Sequence, residues 1–501
     1  MYNVFCLFSE SNPNTYEEAI KTEEWKSAIH NELEAHKKFG TWVETIMPKG
    51  KKAIDTKWIF TTKDNGTKKA RLVARGFQEE SKPGETLYSP VARISTVRML
   101  LSLAQEKDWS VRQLDIPTAY LNGHVQSEIY IKAPKGLRTE SKILKLQRPL
   151  YGIKEASKCW NLRFNTFAIK NGFERSKNDF CLNTKKGTYM IIYVDDILIT
   201  GENIQETVDM LKKEFCTKDF GEITDFLGIQ VERTASHMKL FQKKMINKIL
   251  TKFGMEECNG SKTPMETNFQ DDGQEEIIKV PYRELVGSLL YISNATRPDI
   301  THSVSYLSQF LDKPNQKTWI AAKRVLRYLK ETQNYGLIYK KKLNSKTLYA
   351  FSDADWAGNV SDRKSITGCV AYYFGNTVSW ISRKQNSVSL SSTEAEYIAA
   401  ATSTAEMVYL KGIAEDMDNG GKESPIIYID NRGAIDLSKS YENSKRSKHI
   451  DIKYHFIKDM INKNIINVQH VKTEDNIADI LTKSLSHIRF SKLRRGLELD
   501  G

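Results

Sequence analysis

Between Met190 and Thr200 the chain reads Met-Ile-Ile-Tyr-Val-Asp-Asp-Ile-Leu-Ile-Thr, an apolar run into two carboxylates and a second apolar run out of them. Apolar and β-branched runs broken once by turn-prone Asp predict two buried strands joined by a tight hairpin. Asp195 and Asp196 then stand at its tip. A different period governs Tyr16 to Phe39, where Trp25, Ile29, Leu33 and His36 recur at three- and four-residue steps among Glu and Lys. That pattern predicts a helix, with Thr15 and Glu18 as its capping box. Ala53 to Thr62 and Lys68 to Phe77 read as a hairpin around Lys63-Asp-Asn-Gly66, because Asn-Gly favours the tight turn. Ser95 to Lys107 reads as a helix. Val111 to Ile116 reads as a strand that ends near Asp115 and that Pro117 stops. Trp160 to Asn171 is helical with Gly172 closing it. Gln205 to Phe215 is an amphipathic helix, and Phe226 to Glu232 a short strand.

Residues 259–280 are polar and poor in apolar positions, which predicts a linker and a domain boundary. Helices are expected over Tyr282 to Ser293, Ile300 to Leu311 and Gln316 to Thr332. The last third alternates: strand Thr347 to Asp353, hairpin Gly368 to Phe374 and Thr377 to Ser382 around Gly375-Asn376, then a long helix Thr393 to Ile413. Ser391, Ser392 and Thr393 are its cap candidates. Strand Ile426 to Asp430, helices Arg432 to Ser440 and Ile450 to Asn462, strand Ile465 to Val471 and a helix from Asn476 complete a mixed sheet covered by helices.

Composition narrows the function. A chain of 501 residues suits roughly three domains. It has 40% hydrophobic and 27% charged residues, enough for buried cores with a well-solvated surface. No stretch approaches the ~18 uncharged apolar residues of a membrane helix, and residues 1–10 lack the basic start and apolar core of a signal peptide. Six scattered cysteines with no CxxC pair argue against a zinc site and a disulfide framework, and fit a reducing compartment. A net charge of +13 points to a polyanionic partner, most simply nucleic acid. The charge gathers on the 53–77 hairpin, in Lys57, Lys63, Lys68, Lys69, Arg71 and Arg75. Such a basic flap can clamp a triphosphate or a template backbone. A solvated basic face is the alternative, as a solvated turn is for Asp195 and Asp196.

The acids sit where chemistry could use them. A buried carboxylate is costly unless it meets a cation, and Asp115 at a strand end joins Asp195 and Asp196 as a candidate ligand. Downstream, Asp353 and Asp430 close strands, Glu394 opens the long helix and Asp479 lies in the first turns of the last one. Four such carboxylates could hold two Mg²⁺ ions, which take oxygen ligands. Two metals ~4 Å apart activate a water and stabilise a leaving oxygen. Glu396 competes with Glu394; two residues apart they face different ways, so only one should reach the site.

Together these motifs resemble the reverse transcriptase and ribonuclease H part of the Pol polyprotein of copia-like LTR retrotransposons, from about Thr15 to the C-terminus. Trp58-Ile-Phe and Arg71-Leu-Val-Ala-Arg-Gly-Phe77 resemble the fingers segment. Gln113-Leu-Asp-Ile-Pro-Thr-Ala-Tyr-Leu-Asn-Gly123 resembles the first catalytic motif. Leu150-Tyr-Gly-Ile-Lys-Glu-Ala-Ser-Lys-Cys-Trp160 resembles the segment under the nascent base pair. Tyr193-Val-Asp-Asp196 resembles the polymerase signature, and Phe226-Leu-Gly-Ile229 the primer grip. Ser352-Asp-Ala-Asp-Trp-Ala-Gly358, Ser391-Ser-Thr-Glu-Ala-Glu-Tyr397, Ile429-Asp-Asn431, Lys448-His-Ile-Asp451 and Ala478-Asp-Ile-Leu-Thr-Lys483 resemble the ribonuclease H motifs, in order.

The resemblance implies a mixed α/β and α+β chain: a right-hand polymerase with fingers, palm and thumb, a helical connection and a ribonuclease H-like domain. The expected divisions are an N-terminal helical segment 1–50, fingers and palm 51–235, thumb and connection 236–335, the ribonuclease H-like domain 336–488 and a tail 489–501. It implies Asp115, Asp195 and Asp196 as the polymerase carboxylates, with Asp115 and Asp195 holding both metals and Asp196 more loosely involved. Tyr120 would be the steric gate against a ribose 2′-hydroxyl. Lys63 and Arg71 would contact the triphosphate, and Tyr151 and Gly152 would contribute to the substrate site. Asp353, Glu394 or Glu396, Asp430 and Asp479 would form the ribonuclease H site, with His470 as a nearby proton-handling residue. The implied cofactor is Mg²⁺, with Mn²⁺ as an alternative. Implied partners are an RNA template, a DNA primer, the RNA–DNA hybrid, dNTPs and other Pol and Gag products, with no membrane. The expected location is the cytoplasm, within virus-like particles, with nuclear access. Pro117, Glu155 and Ser157 depart from the family's usual Lys, Gln and Pro, and none is a predicted ligand. The Asp-Thr/Ser-Gly protease motif, a zinc knuckle and an integrase His/Cys arrangement are missing, so the chain is expected to be the C-terminal part of a longer polyprotein. The alternative function is an inactive or domesticated remnant that only binds nucleic acid; intact acids at every predicted position favour the enzyme.

Overall fold

The structure, a computed structural model, describes residues 12–63, 65–80, 87–271, 275–342, 346–359, 361–417, 423–439 and 448–501, with the side chains of 448–454 outside the description. It divides into two compact units. One comprises Met1–Ala92, Arg112–Ile199 and Asn203–Gly221, and the other Arg93–Val111, Thr200–Glu202 and Glu222–Gly501. Among the described residues no helix is long and apolar enough to cross a membrane.

In the first unit, helix Glu23–Lys38 buries Trp25, Ile29 and His36. Trp25 and Ile29 pack on the inward face of a two-stranded hairpin, Thr56–Thr62 with Lys68–Ala74, which contributes Trp58, Phe60, Ala70 and Leu72 to the same core. Trp25 meets Phe60 edge to face at 5.3 Å. Gly66 takes φ +78° in the turn, the conformation Asn-Gly predicts. The single helix expected over Tyr16 to Phe39 is instead two, Tyr16–Ala19 and Glu23–Lys38, because Thr22 is extended at φ −120° and starts a new helix. Thr15 Oγ1 caps Glu18 N–H as predicted, but the Glu18 carboxylate reaches back to Asn14 N–H. The second hairpin strand stops at Ala74, three residues early. There Ala74 N–H turns to donate to the Tyr151 carbonyl at 2.7 Å, and Gly76–Gln78 coils into a 3₁₀ turn.

A six-stranded sheet lies mainly in this unit, in the order Lys218–Glu222, Val111–Asp115, Asp196–Gly201, Thr188–Tyr193, Leu182–Lys185 and Glu174–Arg175. Helix Ala156–Lys170 supplies Trp160, Phe164 and Phe167 to an aromatic cluster with Phe215. That cluster fixes the helix beside the Asp-Asp hairpin.

Among the described residues the second unit contains two sheets. Five antiparallel strands, Asp225–Phe226, Ile229–Arg233, Met238–Phe241, Gly336–Tyr339 and Leu499–Asp500, form one. The strand expected over Phe226 to Glu232 is therefore a hairpin, turned by Leu227 at φ +52° and Gly228 at φ +71°. Residues 489–501, expected as a tail, are instead the end of helix His487–Gly496 and the edge strand Leu499–Asp500. Helices Tyr282–Ala295, Thr301–Leu307 and Gln316–Glu331 match expectation, except that the second ends in a 3₁₀ turn, Ser308–Phe310. The polar stretch from Asn259 lies within this unit and packs along the third helix: Arg327 Nε donates to the Asn259 carbonyl at 2.7 Å, and Arg324 pairs with Glu266 at 3.0 Å. Its polar groups are thus used against a basic helix face, which composition alone does not reveal.

The other sheet runs Asn376–Lys384, Ile366–Tyr373, Leu348–Ala354, Ile426–Ile429, Asn467–His470. The first three strands are antiparallel, and the last two continue parallel to Leu348–Ala354. Helix Ser392–Asp416 packs against its central strand. The hairpin turns on Phe374 and Gly375, both at positive φ, one residue earlier than predicted, because Asn376 is used to accept Lys340 N–H. The helix expected from Asn476 is instead a 3₁₀ turn, Ile477–Leu481, and then helix His487–Gly496.

Candidate active sites

The first site is built where two strand ends meet. Strand Val111–Asp115 delivers Asp115, and the hairpin between Tyr193 and Asp196 is closed by Val194 and Asp195. Ile116 N–H donates to the Asp195 carbonyl at 2.9 Å, tying the carboxylate-bearing segments together. Trp160 donates its indole N–H to the Val194 carbonyl at 2.6 Å. Val194 is left-handed at φ +61°, a conformation that costs a β-branched residue on the order of 1–3 kcal/mol and persists only where neighbours impose it.

A cleft opens over these acids, lined by Lys69, Arg71, Asp115, Tyr120, Tyr151 and Asp195, among others. Burial first, and then the Asp195 carboxylate, push the Asp115 carboxyl up; Lys69, Lys218 and Lys63 oppose them. Burial pulls the Lys69 ammonium down, followed by Arg71 and Lys63, while Asp195 and Asp115 hold it up. Acids and bases thus face each other across a half-buried gap. Tyr120 hydrogen-bonds Ser157 at 3.1 Å and lies 5.1 Å from the Tyr151 ring, over which the Arg71 guanidinium sits at 5.7 Å.

The expected site residues separate here. Asp115, Asp195, Arg71, Tyr120 and Tyr151 come together. Asp196 begins the returning strand and Lys63 is exposed in the flap turn; neither lines the cleft. Gly152 serves the backbone: at φ +94°, a β-carbon there would lie 2.2 Å from the Ala74 carbonyl oxygen. Lys69, counted above only as one of the flap's basic residues, lines the cleft where Lys63 was expected. Its signal was strand alternation, which puts Lys69 and Arg71 on one face while Ala70 and Leu72 are buried on the other. Of the departures from the family pattern, Glu155 is buried and accepts Gln126 and Ser127 N–H at 3.2 and 3.1 Å. Ser157 is the Tyr120 partner.

The second site lies in the second unit. Asp353 on the central strand, Glu396 on the long helix and Asp430 after strand Ile426–Ile429 place ligand oxygens within 4.8 Å of one another. Burial, then Asp353 and Asp430, push the Glu396 carboxyl far up. Glu396 Oε2 has no hydrogen-bond partner among the described residues. Burial also raises the Asp353 carboxyl; Lys483 and Thr482 oppose it, while Asp479 and Asp430 add to it. Three crowded acids with an orphaned buried oxygen are a donor set that a divalent ion would satisfy.

Glu394 is not part of this set. Its carboxylate accepts Leu390 N–H at 2.9 Å while Ser391 Oγ accepts Glu394 N–H, so it closes the helix start. Asp479 is 1% exposed and is held by Arg489 Nε at 2.7 Å and by Lys483. It acts on Asp353 electrostatically but stands outside the trio. His470 ends strand Asn467–His470 opposite Ile429, with an exposed ring. The side chain of Asp451 in the expected motif lies outside the described residues. Asp355 went unnoticed: its carboxylate accepts Ile366 N–H, and burial is the main cause that pushes it up to about 7.

Residues 39–267 match the family model described as reverse transcriptase (RNA-dependent DNA polymerase). The chain is 36% identical over 495 residues to the retrovirus-related Pol polyprotein from transposon TNT 1-94 of Nicotiana tabacum, a match covering 92% of this chain and 37% of that protein. It is 37% identical over 507 residues to the retrovirus-related Pol polyprotein from transposon RE1 of Arabidopsis thaliana, covering 97% and 34%. The chain therefore spans about a third of the length of these relatives. Among solved structures, that of the foamy viral protease-reverse transcriptase in complex with dsDNA aligns with TM-score 0.44 and 13% identity, over 90% of this chain and 84% of that one.

Proposed function

The chain belongs to the retrovirus-related Pol polyproteins of copia-type transposons, and from that premise we propose that it copies RNA into DNA at the first site and cleaves the RNA of the resulting hybrid at the second. The observation that carries the polymerase reading is the cleft that sets Asp115 and Asp195 against Lys69 and Arg71. Charge builds on phosphate oxygens as a primer 3′ oxygen attacks an α-phosphate and pyrophosphate leaves. Lys69 and Arg71 balance the triphosphate charge, Arg71 by the planar fork that suits phosphate. Tyr120, braced by Ser157 and Tyr151, limits the room beside the sugar and so selects deoxyribose. Asp115 and Asp195 would hold divalent ions there, and Asp353, Glu396 and Asp430 would hold them at the nuclease site; bound Mg²⁺ would polarise phosphate oxygens and activate the attacking hydroxyl or water.

The hydrolytic reading rests on Glu396 Oε2, buried beside two further acids and without a hydrogen-bond partner among the described residues. Partners in this reading are an RNA template, a DNA primer, their hybrid and dNTPs. Mg²⁺-dependent incorporation of dTTP on poly(rA)/oligo(dT) tests the first activity. Incorporation lost in Asp195→Asn is the expected result, and wild-type incorporation no greater than that of the variant overturns it.

A further inference from the structure

We propose that Lys483 is the resident counter-cation of the nuclease carboxylates and sets the concentration of divalent ion at which that site fills. The inference rests on the reading of Asp353, Glu396 and Asp430 as metal ligands.

Lys483 follows Asp479 by four residues and pairs with its carboxylate. The two partners differ in access: the Lys483 side chain is 46% exposed and that of Asp479 1%. Asp353 accepts from the hydroxyl of Thr482, the residue beside Lys483, and feels the same ammonium. So do Asp355 and Glu396, each drawn down by it against burial. One cation therefore offsets charge on four carboxylates at once. In return Asp353 and Asp479 hold the ammonium up against its own burial, with Arg489 opposing.

That arrangement does what a metal would do at lower charge. Crowded carboxylates without a cation repel and favour protonation or opening. Lys483 keeps the cluster closed before an ion arrives. Because its stem reaches solvent, the ammonium can withdraw when a divalent ion arrives, whereas Asp479 cannot follow. Asp479 would keep its bond to Arg489 Nε, so withdrawal leaves no buried acid unpaired. The ion must then displace a cation already in the field, which weakens binding. At an effective dielectric near 20, a unit charge several ångströms from a divalent ion costs enough to change affinity on the order of tenfold or more.

The test is Mn²⁺ binding by isothermal titration to the full chain carrying Asp115→Asn and Asp195→Asn, which silence the polymerase set. Glu396→Gln identifies the heat that belongs to the nuclease site. Adding Lys483→Met is expected to tighten that binding roughly tenfold and to lower the unfolding midpoint without metal while enlarging the rise on adding Mn²⁺. Lys483→Arg, which keeps the charge, is expected to bind as the parent does. Equal affinity in parent and Lys483→Met overturns the proposal, and so does Lys483→Arg binding as tightly as Lys483→Met. Heat that Glu396→Gln leaves unchanged overturns instead the metal-site reading beneath it, and the inference with it.

Discussion

Trp160 donates its indole N–H to the carbonyl of Val194 at 2.6 Å, and Val194 is the left-handed residue immediately before Asp195. The turn's conformation is disfavoured for valine, so something outside it must hold it. Trp160→Phe keeps the ring contacts to Phe164 and Phe215, at 5.6 and 5.4 Å, and removes only the donor. An unsatisfied carbonyl costs about 1–3 kcal/mol, and the turn relaxes at the expense of Asp195. Expected is a drop in kcat for dTTP incorporation of about tenfold with little change in KM, since a misplaced reacting group penalises the transition state more than binding. Steady-state kinetics decides it: a variant with wild-type kcat would show that the turn needs no such anchor.

Lys69 and Lys63 are separable. Lys69 lines the cleft with Asp115 and Asp195, whereas Lys63 is exposed in the flap turn. Lys69→Gln should raise KM for dTTP by about tenfold, the loss of one charge-assisted contact worth ~1.5–3 kcal/mol. Lys63→Gln should change it less than threefold at moderate salt, because exposed charges are screened. The reverse ranking in side-by-side kinetics would move the triphosphate to the flap tip.

Glu394 and Glu396 make the same kind of pair on one helix. Glu396→Gln should abolish cleavage of an RNA–DNA hybrid while leaving the fold intact, since it removes charge from a crowded site. Glu394→Gln should leave cleavage near the wild-type rate and cost less than about 1 kcal/mol of stability, because the Gln carbonyl can still accept the Leu390 N–H. A gel assay on a labelled hybrid, alongside denaturant unfolding, separates the two; cleavage surviving in Glu396→Gln and lost in Glu394→Gln would reverse the assignment.

That last choice was almost legible in the sequence. Ser391 as N-cap puts Glu394 at the third helical position, where a carboxylate reaches back to free N–H groups, leaving Glu396 to face the sheet. The order of strands and helices in the last third was readable because each period is long and clear. So was the face shared by Lys69 and Arg71. Other features were not, for reasons of backbone and contact. Valine does not announce a positive φ, nor Leu227 a hairpin turn; tertiary bonds to Trp160 and Tyr291 impose both. Asp479 looked like a free acid at a helix start, but Arg489, ten residues on, already holds it. Residues 259–280 looked like a linker because the partners of polar groups such as the Asn259 carbonyl and the Glu266 carboxylate, Arg327 and Arg324, lie far along the chain.

Stability of the second unit should depend on pH through His302. The residue is 7% exposed, and among the described residues its Nδ1 has no hydrogen-bond partner. Burial alone pulls its imidazole down to about 4. An unfolded histidine titrates near ~6.5, so the folded value is depressed. Between those values the unfolded chain binds a proton that the folded one refuses. The stability contributed by neutral His302 is therefore fully present above about pH 6.5 and is lost as pH falls towards 4. Each pH unit in that window is worth at most ~1.4 kcal/mol. His302→Gln cannot take up that proton, so its urea midpoint should fall less steeply from pH 6.5 to 4.5, whatever its offset at neutral pH. The comparison of slopes removes the other titrating groups, which both proteins share. Parallel slopes in wild type and variant would mean that His302 is reached by water or a partner on protonation and does not resist it.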